Sequence, residues 1–327
     1  MISSSVGFLV SFGLFWSIFE FATIAANSVF GALINDVVPH RLLGRFFGLF
    51  RALSLLAGII FNYWLMGKAE TWYVWMLCGF ALLYAVGFTL MCLKVKEGQY
   101  PPPETIRRPG IIASAKVYLS ESFTIRYYWW TFAAMVVSEM AFSPINTYSL
   151  QFARSLGMNM DFYGKLIALS YVVSLCLAFF LGWLADRFHP LRVGIASLVL
   201  FAVCTAWGTI YATTPGKMGI ALVAHVVISG TYYTTTASLS QRLFPRLKFA
   251  QYASARGILS AITGMVFTPV FGKIIELTGT QYRYTYLMSC ILCCTAIGLL
   301  LVVHYHFMKL GGPMGYIAPE RNTGDAA

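Results

Sequence analysis

Residues 162–192 read FYGKLIALSYVVSLCLAFFLGWLADRFHPLR. From Leu166 to Ala185 no side chain carries a charge. At 1.5 Å rise per residue, that run makes about 30 Å of helix, the thickness of a bilayer's hydrocarbon core. The run stops at Asp186-Arg187, Arg192 follows, and a second apolar run begins at once. Two lipid-length runs joined by a short charged turn are the signature of a polytopic helical membrane protein.

The same pattern repeats outward in both directions. The chain has 327 residues, of which 58% are hydrophobic and 11% charged, and its mean hydropathy is +0.71. That balance leaves too little polar surface to coat a soluble core. Spans are expected near residues 6–34, 46–66, 71–93, 127–152, 162–185, 191–212, 217–241, 252–275 and 284–307, which makes an all-α membrane bundle of nine transmembrane helices. Barrel strands are excluded because they would alternate over about ten residues. Residues 1–93 read as three spans and residues 127–308 as six. Between them, residues 94–126 read as a linker with Pro101-Pro102-Pro103 and an amphipathic stretch, Ala113 to Ser122, suited to the membrane surface. Residues 309–327 read as a polar, disordered tail.

The formal net charge is +11, which invites a nucleic-acid reading, but the positions of the basic residues argue against one. Arg41, Arg45, Arg51, Lys94, Lys96, Arg107, Arg108, Lys116, Arg126, Arg187, Arg192, Arg242, Arg246, Lys248, Arg256, Lys309 and Arg321 are assigned to one side of the membrane. Only Lys68, Arg154, Lys165, Lys217, Lys273 and Arg283 are assigned to the other. By the positive-inside rule the richer side is cytoplasmic, which puts the C-terminus inside and the start of the first span outside. Arg41, Arg45 and Arg246 then serve as topology determinants and lipid-headgroup contacts. No nucleic-acid partner is expected.

Several chemistries lack their motifs. The sequence contains no ATP-binding G-x-x-x-x-G-K-[ST] loop, no H-E-x-x-H pair and no G-x-S-x-G elbow, so a primary pump or membrane enzyme is disfavoured. Cys290-x-x-Cys293-Cys294 has metal-like spacing but reads as small residues packing in a span. No cofactor or metal is expected.

An internal repeat is present. With Pro39 set on Pro245, Leu53 falls on Leu259, Ser54 on Ser260, Gly58 on Gly264 and Phe61 on Phe267, while Arg51 and Arg256 are one residue out of register. Two halves on one plan are what secondary transporters show.

The segment Gly182-Trp183-Leu184-Ala185-Asp186-Arg187 with Arg192 resembles the short cytoplasmic loop signature of the major facilitator superfamily, with His189-Pro190 in place of the expected second glycine. Asn35-Asp36 through Pro39, Arg41, Gly44 and Arg45 resembles the loop after that family's fourth helix. The resemblance implies that Gly182 allows a close helix approach while Asp186, Arg187 and Arg192 form a gating loop. It also implies that these spans are family helices four to twelve. Family helices one to three would then be encoded upstream or elsewhere, and this chain alone would not be a competent carrier.

Three ionisable residues are expected at mid-membrane depth, where a charge costs at least about 3 kcal/mol on insertion scales. They are Glu20, Glu139 and His225, and no Lys or Arg is expected near a span centre. Under the resemblance all three lie on helices that line the central cavity. Helical spacing puts Ser17, Thr23 and Asn27 with Glu20, Ser143 and Asn146 with Glu139, and Ser229, Tyr232, Thr236 and Ser240 with His225. These faces point to a secondary active transporter working by alternating access. The first expectation for its solute is a small, neutral, sugar-like molecule, because the faces contain no cation to hold an anion. Protons or another cation would be the coupling partner. An exporter of lipophilic cations and a non-transporting partner or sensor are the alternatives.

Overall fold

A computed structural model describes residues 2–60, 72–96 and 110–319. Among these residues the chain is helical throughout, without a strand. The principal helices are α1 (Ile2–Val37), α2 (Leu43–Ile60), α3 (Tyr73–Lys94), α4 (Ile111–Phe123), α5 (Arg126–Ser155), α6 (Met160–Phe188), α7 (Pro190–Tyr211) and α8 (Pro215–Thr236). After the short α9 (Leu239–Leu243) come α10 (Phe249–Leu277) and α11 (Tyr284–Lys309), and the one-turn α12 (Gly312–Gly315) completes the order.

Seven helical segments among the described residues are long and apolar enough to cross a membrane: Val10–Val37, His40–Ile60, Val74–Lys94, Phe162–Phe188, Pro190–Tyr211, Arg246–Leu277 and Tyr284–Lys309. The expected count of nine is not met by that measure. The two segments that fall short, α5 and α8, are the ones that carry Glu139, Asn146, His225 and the hydroxyl-rich run, so their hydropathy is diluted. They are also among the most buried helices. Fifteen residues of α5 and ten of α8 are buried, because their polar groups face protein rather than lipid. The expected span at 217–241 also breaks early, since α8 stops at Thr236. Thr234, Thr235 and Thr236 each turn their hydroxyls back onto carbonyls of the preceding turn, a habit that bends helices.

The core lies among α5, α7, α8, α10 and α11, with Tyr128, Phe132, Phe142, Phe201, Tyr286 and Phe307 fully enclosed. α11 runs along α5 and α7, while α6 and α7 flank α8. The two parts of the chain meet where α2 lies along α6 and α1 along α10. Large apolar side chains such as Phe15, Trp75, Leu83 and Val203 stand exposed, as lipid-facing residues must.

Both copies of the repeat fold alike. Pro39 leads a 3₁₀ turn, His40–Leu42, into α2, and Pro245 leads a 3₁₀ turn, Arg246–Lys248, into α10. Proline's fixed φ suits the turn entry, and its missing N–H costs nothing there.

Two expectations for the polar segments change. The stretch expected along the membrane surface is α4. It leaves Val117 and Leu119 exposed but docks one edge on α10, with Tyr118 Oη 2.8 Å from Ser254 Oγ and Lys248 paired to Glu121 at 3.1 Å. The tail is ordered at least to Pro319. The Tyr316 hydroxyl donates to the Leu243 carbonyl at 2.7 Å and that of Tyr128 to the Pro319 carbonyl at 3.0 Å. Burial raises the Tyr316 phenol well above its ordinary range. Residues 61–71, 97–109 and 320–327, which hold the end of the second expected span, Pro101-Pro102-Pro103 and Arg321, lie outside the described residues.

Candidate functional site

Polar side chains of α1 and α5 converge on a cavity of about 550 Å³ whose wall includes Glu20, Asn27, Glu139, Ser240, Arg256 and Ser260. Glu20 and Asn27 are seven residues apart on α1, so they share a face, as the spacing predicts. Ser17 and Thr23 return their hydroxyls to the helix's own carbonyls instead. Across the cavity, Glu139 is ion-paired with the Arg256 guanidinium and accepts a 2.8 Å hydrogen bond from Ser260. Glu139 and Arg256 are 27% and 29% exposed, so the pair is wetted by the cavity and half sheltered by protein.

Arg256 corrects the sequence reading. It was counted among the cytoplasmic positive charges, yet it lies on the third turn of α10 with Glu139 as its partner. Arg51 is corrected in the same way. It lies on α2 in the wall of a second cavity, about 370 Å³, with Asn146, Ser149, Tyr163, His225 and Tyr233. Removing both from the topology count still leaves fifteen basic residues against six. Their one signal in the sequence was the repeat, which put two arginines nearly in register on the helices that follow Pro39 and Pro245.

His225 is almost fully buried, and its Nε2 lies 2.8 Å from Asn146 Oδ1. The two residues therefore join α8 to α5 at the edge of the second cavity. Ser143 is half-buried and lines neither cavity. Tyr232 and Thr236 also lie outside both. Thr236 packs onto Gly194 of α7, and Tyr232 is buried against Phe142. On α8 the second cavity is lined by Leu222, His225, Val226, Ser229, Gly230 and Tyr233, so His225 and Ser229 of the expected stripe face it while Tyr232 and Thr236 turn toward α5 and α7.

The cysteines that suggested a metal spacing are occupied otherwise. The Cys293 thiol donates to the Leu198 carbonyl at 3.1 Å and the Cys290 thiol to that of Ala202 at 3.8 Å.

At the end of the bundle that carries the basic turns, α2 and α6 touch backbone to backbone. A Cβ added to Gly182 would lie 2.4 Å from the Gly44 carbonyl oxygen, and one on Gly48 would lie 2.7 Å from that of Ala178. Asp186, whose side chain is 6% exposed, accepts from the backbone N–H groups of Gly44 at 2.8 Å and Arg45 at 2.9 Å. It thereby satisfies two of the four donors a helix start leaves open, and its charge opposes the positive helix end. Arg242, just beyond α8, pairs with the same carboxylate at 2.6 Å. Burial pulls the Arg242 guanidinium below its usual pKa while Asp186 opposes that fall.

Two expected gating residues are not part of this contact. Arg187 is exposed at the surface, and Arg192 reaches the Met308 sulfur at 3.6 Å. Arg242 and Arg45 are the cations that meet Asp186. His189, where a second glycine was expected, has φ +73°. That conformation explains the expected glycine, since a side chain there is strained by about 1–3 kcal/mol. Its Nδ1 accepts from the Leu191 N–H at 3.3 Å, and its ring packs 4.5 Å from Phe307.

A lipid-exposed helical bundle whose two parts meet at a glycine contact, with carboxylates held between them, defines a membrane transporter of the two-part type. A family model described as Major Facilitator Superfamily matches residues 131–313. The match covers more than half of the chain, and the chain belongs to that superfamily. A comparison with curated proteins finds no match.

Proposed function

We propose that the protein is a secondary active transporter that carries a small, hydroxyl-bearing solute by alternating access, with a proton moving through Glu139. In this reading α5 and α8 cross the membrane with the seven apolar segments, giving nine crossings. The basic end of the bundle, with the C-terminal tail, faces the cytoplasm of a cell membrane.

The observation that carries the reading is the pair Glu139 and Arg256 in one cavity with Glu20. A charge pair inside a membrane is expensive and marks a pathway for ions or solute. Protonation of Glu139 neutralises it and releases Arg256, which changes how α5 and α10 hold together. A proton can thus bias two arrangements of the bundle. The contact of α2 with α6 supplies the second half of the cycle, because it must separate for the basic end to open. Two arginines in cavity walls weigh against a lipophilic-cation exporter, and they remove the reason for requiring a neutral solute.

The test is uptake in membrane vesicles from cells expressing the full-length protein, over a panel of sugars, polyols and sugar acids. Saturable uptake that collapses with a protonophore is expected for at least one solute. Absence of saturable uptake across the panel contradicts the proposal.

A further inference from the structure

We infer that the cavity between α2, α5, α6 and α8 is a binding subsite for the carboxylate of a small hydroxylated acid, held by Arg51; the inference rests on the transporter reading and names the chemistry of its solute. Arg51 makes no hydrogen bond and has no carboxylate partner among the described residues, and its Nε is buried with its donor unmet. A guanidinium is always charged and presents a planar fork of donors that fits a carboxylate. Left alone at this depth it is costly, and a bound anion removes the cost.

The repeat shows what this helix position accepts. Arg256, nearly in register on α10, is ion-paired with the Glu139 carboxylate, which also takes a serine hydroxyl, although the Arg256 Nε has no partner among the described residues. On α2 the described residues supply no such carboxylate, and the space beside Arg51 is a cavity of about 370 Å³. That volume suits a molecule of sugar-acid size, near the small end of ligand pockets. Among the described residues no Asp or Glu lines it. Glu139 lies outside this lining and is paired with Arg256, so Arg51 is the charged side chain that the described wall presents. The rest of the wall is suited to hydroxyls. Ser149 Oγ and Tyr163 Oη lie 2.9 Å apart, and Asn146, Tyr171 and Ser229 add donors and acceptors. An acid with several hydroxyl groups uses both features, and a plain sugar uses only the second.

Binding to the purified full-length chain is measured for two matched pairs that share a skeleton, gluconate with glucitol and glucuronate with glucose. In at least one pair the acid is expected to bind about tenfold or more tightly, the scale of one charge-assisted hydrogen-bonded contact. Arg51→Gln should abolish that preference and Arg51→Lys should retain part of it. A readout that needs no variant is phenylglyoxal modification of Arg51, followed by mass spectrometry, which the acid should slow and its uncharged mate should not. Equal binding within both pairs, a preference that survives in Arg51→Gln, or protection by the uncharged mate overturns the inference. Flux without acid preference would sink the subsite and keep the transporter. Acid preference with no flux for any panel member would do the reverse.

Discussion

The Asp186 carboxylate on α6 accepts the Gly44 N–H that opens α2 at 2.8 Å, joining positions 142 residues apart in the sequence. The same oxygen also takes Arg242 at 2.6 Å, so one side chain fastens three helices at the basic end. Asp186→Asn keeps an acceptor but leaves Arg242 a sheltered, uncompensated cation. The expected cost is roughly 3 kcal/mol, the lower end for breaking a buried pair because Arg242 is partly wetted. Unfolding of both proteins in detergent checks it, and an unchanged midpoint would show that the contact contributes nothing.

Gly182→Ala drives a methyl group into the Gly44 carbonyl, a backbone atom that cannot swing aside. Overpacking of this kind costs about 1–3 kcal/mol. Gly298→Ala on α11 is the control, since nothing lies within 4 Å of its added Cβ, and a helix interior gains from alanine by up to about 1 kcal/mol. The two variants should move the unfolding midpoint in opposite directions.

His189 gives the basic end of the bundle a pH dependence. Burial, with Arg242, Arg192 and His304 adding repulsion, lowers its pKa from 6.5 to about 3. The folded imidazole is therefore neutral where the unfolded one is charged. Below pH 6.5 the unfolded state binds the extra proton, so stability falls progressively as pH drops toward 3 and is unaffected above about 7. In His189→Gly, which also relaxes the positive φ, unfolding midpoints measured from pH 7 to pH 4 should fall less than in the wild type. Parallel curves would remove His189 from this account.

Membrane orientation follows from the basic residues gathered near the Asp186 contact. In a background with native cysteines replaced, an impermeant maleimide added outside should label Gln281→Cys, in the exposed turn between α10 and α11, and should miss Ile317→Cys. Labelling of Ile317→Cys without permeabilisation would invert the orientation.

The sequence makes the apolar helices plain because a lipid-length run has few other readings. It is less informative where polar groups are buried, as α5 and α8 show, because hydropathy treats a protein-facing polar residue and a water-facing one alike. Helical spacing put Glu20 and Asn27 on one face, the resemblance put Glu20 and Glu139 on cavity helices, and all three line one cavity. Tyr232 and Thr236 share that spacing with His225, but α7 presses Gly194 against this side of α8, and only tertiary packing decides which neighbour a stripe meets. Arg51 and Arg256 were missed because each lies close enough to a loop to be counted with it. The ordered tail was missed because glycine and proline spacing says nothing about Tyr316 finding the Leu243 carbonyl.

The central claim is that Glu139 carries the driving proton while it holds Arg256. Glu139→Gln keeps an oxygen for Arg256 and Ser260 but cannot titrate, so it separates the two roles. In vesicles from cells expressing the full-length protein, uphill accumulation and counterflow of a transported solute are measured side by side. The account predicts that accumulation is lost while counterflow, which needs no net proton movement, survives. Accumulation at the wild-type level in Glu139→Gln would contradict it.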